Sequence, residues 1–238
     1  MVNFEFMCKH ILTVFFAFGV MCCSSISEVQ PTAHEETVRT TRSYLALGDS
    51  YTIGTSVAFS ENFPNQLADS ILIKTGDSLL VKIVAQNGWR TDDLQEGIER
   101  ADLEEKYDLV SLLIGVNNQY QRMPIADFER DFRSLLDSAI KYSGGKKDYV
   151  FVVSIPNYGY TPFGASKKEE ITKELAEFNL RSKNICEEYG IDFYTITEIS
   201  LEAETNAVFR AQDDLHPSGI QYAAWVSSFL DKVVEKLE

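Results

Sequence analysis

The sequence predicts an α/β fold, a parallel sheet covered by helices on both faces. Three observations carry this. Five short apolar runs recur along the chain from Tyr44 onward. Several are near-continuous rather than alternating, as burial on both faces requires. Segments with helical spacing of apolar residues separate the runs, the alternation that builds parallel sheets.

Tyr44-Leu45-Ala46-Leu47 is the first run, and it ends in Gly48-Asp49-Ser50, a strand leading into a turn. Phe63–Lys74 carries Phe63, Leu67 and Ile71 at helical spacing and stops at Gly76, a C-cap residue. Leu79–Ala85 is the second strand, ending at Asn87-Gly88. Thr91–Leu103 reads as a helix with Thr91 or Asp92 as N-cap. Asp108–Ile114, the third strand, stops at Gly115. Pro124 suits a first helical position, and Phe128, Phe132, Leu135 and Ala139 follow at helical spacing. Gly144-Gly145 ends that helix, and the fourth strand, Tyr149–Ile155, is stopped by Pro156. Lys167–Tyr189 is a long helix with Ile171, Leu175, Phe178 and Ile185 on one side. Ile191–Ile196 is the fifth strand, and Thr197–Gln212 is a polar loop, long enough to suggest function. A last helix from about Pro217 turns Val226, Leu230, Val233 and Leu237 inward.

With 238 residues the chain can build one sizeable core without disulfides. Its formal net charge is −14, which argues against a nucleic-acid partner, since binding phosphates needs a basic surface. The N-terminus reads as a targeting segment, residues 1–23, in which Lys9 and His10 precede an apolar run from Ile11 to Cys23. That run is short of the roughly 20 residues a spanning helix needs. Cys22 and Cys23 at its end resemble a bacterial lipoprotein signal, which implies a lipidated cysteine as the new N-terminus. An ordinary secretory signal and an uncleaved anchor are the other readings. The expected location is exported, periplasmic or at the cell surface, with membrane attachment through an N-terminal lipid. Residues 24–43, rich in Ser, Thr and Glu, read as a flexible tether to a domain over 44–238. Loss of residues 1–22 removes one acid, Glu5, and one base, Lys9, so the exported charge stays −14. Cys186 is then the one cysteine deep in the domain, a small buried apolar residue rather than half of a disulfide.

Four segments after strands carry chemistry. A serine at the carboxyl end of the first strand, Ser50, faces the crevice where α/β folds bind ligands. Gly88 in Asn87-Gly88-Trp89 permits close backbone approach and offers an N–H donor. In Gly115-Val116-Asn117-Asn118, the Asn117 amide can donate to a developing oxyanion. In Asp213-Asp214-Leu215-His216-Pro217, a carboxylate three residues before a histidine can orient the imidazole. The other two histidines, His10 and His34, precede the domain, so His216 is its one base of this kind. Taken singly each segment has a plain structural reading: a helix cap, a turn, a loop asparagine, a helix-start histidine.

In this order the four resemble the signature blocks of the SGNH (GDSL-like) hydrolase superfamily, from about Ser43 to the C-terminus. The resemblance implies a three-layer α/β/α fold whose five-stranded parallel sheet has the flavodoxin-like order 2-1-3-4-5. It implies a serine esterase that needs no cofactor or metal. Ser50 would be the nucleophile, His216 its base and Asp213 the residue orienting His216. The N–H groups of Ser50 and Gly88 and the Asn117 amide would form the oxyanion hole. Strand five lies three strand spacings from strand one, roughly 14 Å, and the Thr197–Gln212 loop can bridge that gap. Two residues depart from the family pattern: Tyr51 follows Ser50 in place of leucine, and Asn118 stands where aspartate is usual. No Gly-x-Ser-x-Gly elbow, metal-ligand cluster or phosphate loop is present in the sequence.

Trp89, Gln119, Tyr120, Asn157 and Tyr158 follow strand ends and are expected to line the substrate pocket. The expected substrate is a small acyl ester, with O-acetylated sugars as one class. Lysophospholipase or thioesterase action on lipid acyl chains is an alternative, as is a non-catalytic glycan-binding module of the same fold. A flavin-binding protein of flavodoxin type is a further competitor.

Overall fold

In the computed structural model, which describes residues 39–238, the five apolar runs form one parallel sheet of order β2-β1-β3-β4-β5. The strands are β1 (Thr41–Gly48), β2 (Ser78–Ala85), β3 (Leu109–Leu113), β4 (Val150–Val153) and β5 (Asp192–Tyr194). The targeting segment, with Cys22 and Cys23, lies outside the described residues. The end of the segment read as a tether does not: Thr41–Ser43 pair with Ser78–Leu80, so β1 starts three residues before Tyr44. The fifth strand is shorter than its apolar run, three residues rather than Ile191–Ile196.

The principal helices are α2 (Phe63–Thr75), α3 (Thr91–Arg100), α5 (Ile125–Tyr142), α6 (Lys168–Tyr189) and α8 (Gly219–Leu237). They cover both faces of the sheet: α2 packs on α8, while α5 packs against α3 and α6. Their ends follow the punctuation of the sequence. The α2 helix closes on Gly76 at φ 83°, α6 closes on Gly190 at φ 70°, and the Ser218 hydroxyl caps the start of α8. Three expectations need correcting. Pro124 precedes α5 rather than opening it. Thr91 is inside α3, whose first turn is held instead by the Asp93 carboxylate accepting from the Arg90 N–H at 3.0 Å. The Thr197–Gln212 stretch is not irregular: it holds α7 (Thr197–Leu201) and two 3₁₀ turns. Two further one-turn helices, α1 (Ser50–Ile53) and α4 (Val116–Tyr120), sit at strand ends and are too short for periodicity to reveal.

Tyr44 to Leu47 of β1 are wholly buried, since β1 lies between β2 and β3 and under helices on both sides. A tyrosine is tolerated there because its hydroxyl meets the Ser111 Oγ of β3 at 2.7 Å, so no polar atom is left alone. Phe151, Tyr194 and Phe229 form an aromatic cluster with ring centroids 5.3–5.9 Å apart. A second cluster joins Phe128, Phe132 and Phe178. Cys186 is buried and unpaired, as expected for a small apolar residue. Among the described residues no helix is long and apolar enough to cross a membrane.

Gly48 pairs with Ala85 on one side and Leu113 on the other. A Cβ there would lie 2.1 Å from Thr52 Oγ1 and 2.4 Å from the Leu113 carbonyl oxygen. The threonine could rotate, but the carbonyl is backbone, so the β1–β3 pairing would have to open. Gly48→Ala is therefore expected to lower unfolding stability by about 1–3 kcal/mol, the usual cost of overpacking. Chemical denaturation checks it, and an unchanged midpoint would contradict the packing argument.

Candidate active site

Because Gly48 is level with Ala85 and Leu113, the loops after β1, β2 and β3 leave the sheet together. Ser50, Gly88 and Asn117 stand in these three loops. They meet His216 around one cleft of about 230 Å³, further lined by Tyr51, Tyr120 and Tyr158.

Ser50 opens α1 and is buried. Its N–H stands at a helix start, where it has no intrahelical acceptor. Asp49 is the N-cap: its carboxylate accepts from the Tyr51 N–H at 3.0 Å. Gly54, at φ 79°, closes the turn by donating its N–H to the Ser50 carbonyl at 3.1 Å. The Asp49 side chain is wholly buried, and its Oδ2 has no hydrogen-bond partner among the described residues. Burial raises the Asp49 carboxyl to about 7, against the backbone hydrogen bond from Tyr51, so near neutral pH a large share of it is protonated.

Gly88 has φ 80°, in a turn closed by the Trp89 N–H donating to the Gln86 carbonyl at 3.3 Å. No atom would obstruct a side chain there; the backbone conformation is what requires glycine. Asn117 Nδ2 donates to the Trp89 carbonyl at 2.9 Å, tying α4 to this turn. One amide hydrogen is used in that bond, leaving the second for the cleft that Asn117 lines.

Asn118 explains how this loop is held without the aspartate usual at its position. Asn118 Oδ1 accepts from the Thr91 N–H at 3.1 Å, and its Nδ2 donates to Thr91 Oγ1 at 2.8 Å. The Thr91 hydroxyl lies 3.4 Å from Asp131 Oδ2 and donates to it. An amide can accept and donate at one contact, so Thr91 is free to spend its own hydrogen on α5.

His216 Nδ1 lies 2.6 Å from Asp213 Oδ2. The other carboxylate oxygen accepts from the backbone N–H groups of Leu215 and His216, at 3.0 and 2.9 Å. The Asp-x-x-His spacing thus closes a small ring, helped by Asp214 at φ 58°. With Nδ1 engaged by Asp213, Nε2 is the ring nitrogen left for the cleft. Beyond His216, the Ser218 N–H donates to the Phe209 carbonyl at 2.9 Å and fixes the loop before α8.

A residue not singled out in the sequence joins this group. Ser56 Oγ donates to Asp213 Oδ2 at 2.5 Å, the oxygen that also meets His216. Ser56 has φ 67°, just past α1, so a bond spans from the turn that holds Ser50 to the His216 loop. Burial pushes the Asp213 carboxyl up, but hydrogen bonds from the Ser56 hydroxyl, the His216 backbone and ring, and the Leu215 backbone outweigh it and hold it at about 2. An exposed serine in a Gly-Thr-Ser turn carries no sequence signal for such a contact.

The five residues expected to line the pocket divide. Tyr120 and Tyr158 line the cleft. Gln119 is buried behind them, accepting from Tyr158 Oη at 2.9 Å and donating to Glu174 Oε2 at 2.6 Å. Trp89 and Asn157 are not on the cleft. The Trp89 ring packs where a Gly97 side chain would stand, 2.3 Å from its would-be Cβ. Asn157 bonds Ser200, Gly159 and Thr172. Asn87, Val116, Phe163 and Leu215 complete the cleft, and the last three are legible in the sequence only as apolar residues. Among the described residues no group of three or more His, Cys, Asp or Glu is placed to hold a metal ion.

Residues 46–224 match the GDSL-like lipase/acylhydrolase family. The chain belongs to this family. Solved structures of similar fold include a lipase from a goat rumen metagenome, 18% identical, with TM-score 0.67, covering 83% of this chain and 100% of that one. A lipase/acylhydrolase from Enterococcus faecalis is 19% identical, with TM-score 0.63 over 83% and 97%. An acetylxylan esterase from Geobacillus stearothermophilus is 18% identical, with TM-score 0.62 over 83% and 96%. These structures share its fold, in which the five-stranded parallel sheet has the order 2-1-3-4-5. Comparison with curated proteins found no match.

The two perturbed carboxylates act on stability in opposite directions and in separate windows. Asp49 binds its proton more tightly folded than unfolded, so its contribution fades as pH rises from about 4 to about 7. Asp49→Asn keeps the capping oxygen and removes the titration. Its melting temperature relative to wild type should therefore climb across that window, and a pH-independent difference would refute a buried, titrating Asp49. Asp213 stabilises above about 4, and the effect is lost as pH falls toward about 2. Ser56→Ala removes one of its donors, so acid unfolding should begin at higher pH than in wild type; coincident acid-titration curves would show that the Ser56 contact contributes nothing.

Proposed function

We propose that this member of the family is a serine esterase that cleaves small acyl esters through an acyl-enzyme, with O-acetylated sugars as a substrate class. One observation carries the reading: Ser50, Gly88, Asn117 and His216 border a single cleft, and Asp213 engages His216 through Nδ1, leaving Nε2 unpaired among the described residues.

The chemistry follows from these atoms. Ser50 Oγ attacks the ester carbonyl carbon while His216 Nε2 takes its proton. The carbonyl oxygen becomes an oxyanion, and the N–H groups of Ser50 and Gly88 and the Asn117 amide donate to it. Collapse of this intermediate breaks the carbon–oxygen bond to the alcohol, and His216 returns the proton to the departing alkoxide. Water then attacks the acyl-enzyme, with His216 again as base. The acid leaves and Ser50 regains its proton. Throughout, Asp213 stays ionised and stabilises the charged imidazole.

The size of the cleft supports a short acyl group. At about 230 Å³ it falls below the roughly 300–1,000 Å³ of sites that enclose drug-sized ligands. A long lipid chain would have to lie outside it.

Ser50→Ala should abolish turnover of 4-nitrophenyl acetate, and Asn117→Ala should lower kcat by about 10²–10³-fold, the usual loss for one oxyanion donor. Across acetate, butyrate and octanoate esters, kcat/KM should fall with chain length. Full activity in Asn117→Ala would remove Asn117 from the oxyanion hole. A preference for octanoate would favour the lipid-esterase reading.

A further inference from the structure

A second hollow lies behind the aromatic wall of the cleft. Tyr120, Tyr158 and Phe163 border the cleft on one side and this hollow, of about 210 Å³, on the other. The three rings form a closed cluster with centroids 6.1–6.3 Å apart. Tyr120 and Phe163 are 57% and 51% exposed, among the more exposed large apolar side chains of the described residues. Contiguous exposed rings beside a site signal binding. The rest of the hollow is polar and comes mainly from α6 and the loop before it: Ser166, Lys167, Glu170 and Glu174, with Arg122 opposite.

Glu174 is held in place. Tyr158 Oη donates to Gln119, and Gln119 Nε2 donates to Glu174 Oε2 at 2.6 Å, which leaves Glu174 Oε1 without a protein partner among the described residues. A hydrogen-bond chain therefore runs from the rim of the first cleft to a free, oriented acceptor in the second hollow. Arg122, at 3.5 Å from Glu170, is paired, so the hollow's two acids and two bases balance. Aromatic faces beside fixed acceptors and donors, with no net charge, suit a neutral polyhydroxylated ring. They do not suit an alkyl chain, which would bury these polar groups without partners, and a balanced hollow offers an anionic headgroup no net attraction.

Resting on the esterase reading above, we infer that the hollow behind Tyr120 and Phe163 is a subsite for a sugar unit of the alcohol portion, adjoining the unit that carries the ester. The enzyme then prefers esters of oligosaccharides to esters of single sugars. Glu174 accepts from a hydroxyl of the added unit, and the exposed rings take its apolar face.

The test compares kcat/KM for mono-O-acetyl xylotriose and mono-O-acetyl xylose, with 4-nitrophenyl acetate as the reference ester, in the full chain and in Glu174→Ala and Tyr120→Ala. The readout is the trimer-to-monomer ratio within each protein, so a loss of folded fraction cancels. The expected ratio is about tenfold or more in wild type, falling toward one in each variant, as loss of a hydrogen bond to a charged group predicts. A wild-type ratio near one, or a ratio unmoved by both substitutions, overturns the subsite while leaving the esterase in place. So does Ser50-dependent cleavage of lysophosphatidylcholine faster than of either sugar ester, which would assign the rings to a choline group. Absence of Ser50-dependent turnover on every substrate, 4-nitrophenyl acetate included, overturns both readings.

Discussion

Gly48 carries a double constraint: it is the last residue of β1, and it is in register with the last residues of both neighbouring strands. Three chain ends therefore reach the top of the sheet at one level, and the groups that follow within a few residues are side by side. A crossed or slipped register would move one of them by a strand step, about 3.3 Å. That is more than a hydrogen bond to a reacting atom can tolerate. The absence of a side chain at Gly48 is what lets α1 start so close above β3, with Thr52 over the Leu113 carbonyl. Placement of the site is thus a consequence of sheet geometry, before any polar interaction is formed.

The polar interactions then fix orientation. Asn117 bonds the Trp89 carbonyl, Gln121 bonds the Gly88 carbonyl and is itself held by Arg90, and Asn118 clamps Thr91. All three bridge the loops after β2 and β3, so the N–H of Gly88 and the amide of Asn117 are positioned as one body. On the other flank Ser56 links the Ser50 turn to Asp213. Donors held this way need no reorganisation when negative charge develops, which is the physical source of oxyanion stabilisation. Asp49 carries an opposing cost, because a carboxyl buried next to Ser50 with one oxygen unpartnered among the described residues works against folding when ionised.

Much of this was legible in the sequence because it is local. Strand ends are written as glycines, asparagines and prolines, and the Asp213–His216 contact follows from a three-residue spacing. The sheet order follows instead from the family's motif order, which also supplies the roles proposed for Ser50, Asp213 and His216. Contacts that depend on distant segments left no local trace. Ser56 meets Asp213 across 157 positions of chain. Trp89 looked like a pocket residue because it follows Gly88, yet Gly97 one helical stretch later leaves room for its ring, and burial of that apolar surface decides its direction. The one-turn helices α1 and α4 contain too few residues to show a period.

Asn157 shows why a strand-end residue need not line the cleft. The chain leaves β5 at the far side of the sheet and must return to Ser50, and a free loop over that distance would leave His216 loosely placed. Instead the return is folded into α7 and two 3₁₀ turns. The Asn157 N–H donates to Ser200 Oγ at 3.0 Å, and Ser200 in turn donates to the Thr197 carbonyl at 2.6 Å. Lys168 pairs with Glu204 at 2.6 Å, and Arg210 bonds the Ala203 carbonyl. These contacts anchor the return to the loop after β4 and to the start of α6, the helix that also supplies Glu174. The His216 loop and the second hollow are therefore braced by the same elements. A change that loosens Asn157 would act on His216 through the α7 segment, although its side chain lies off the main cleft.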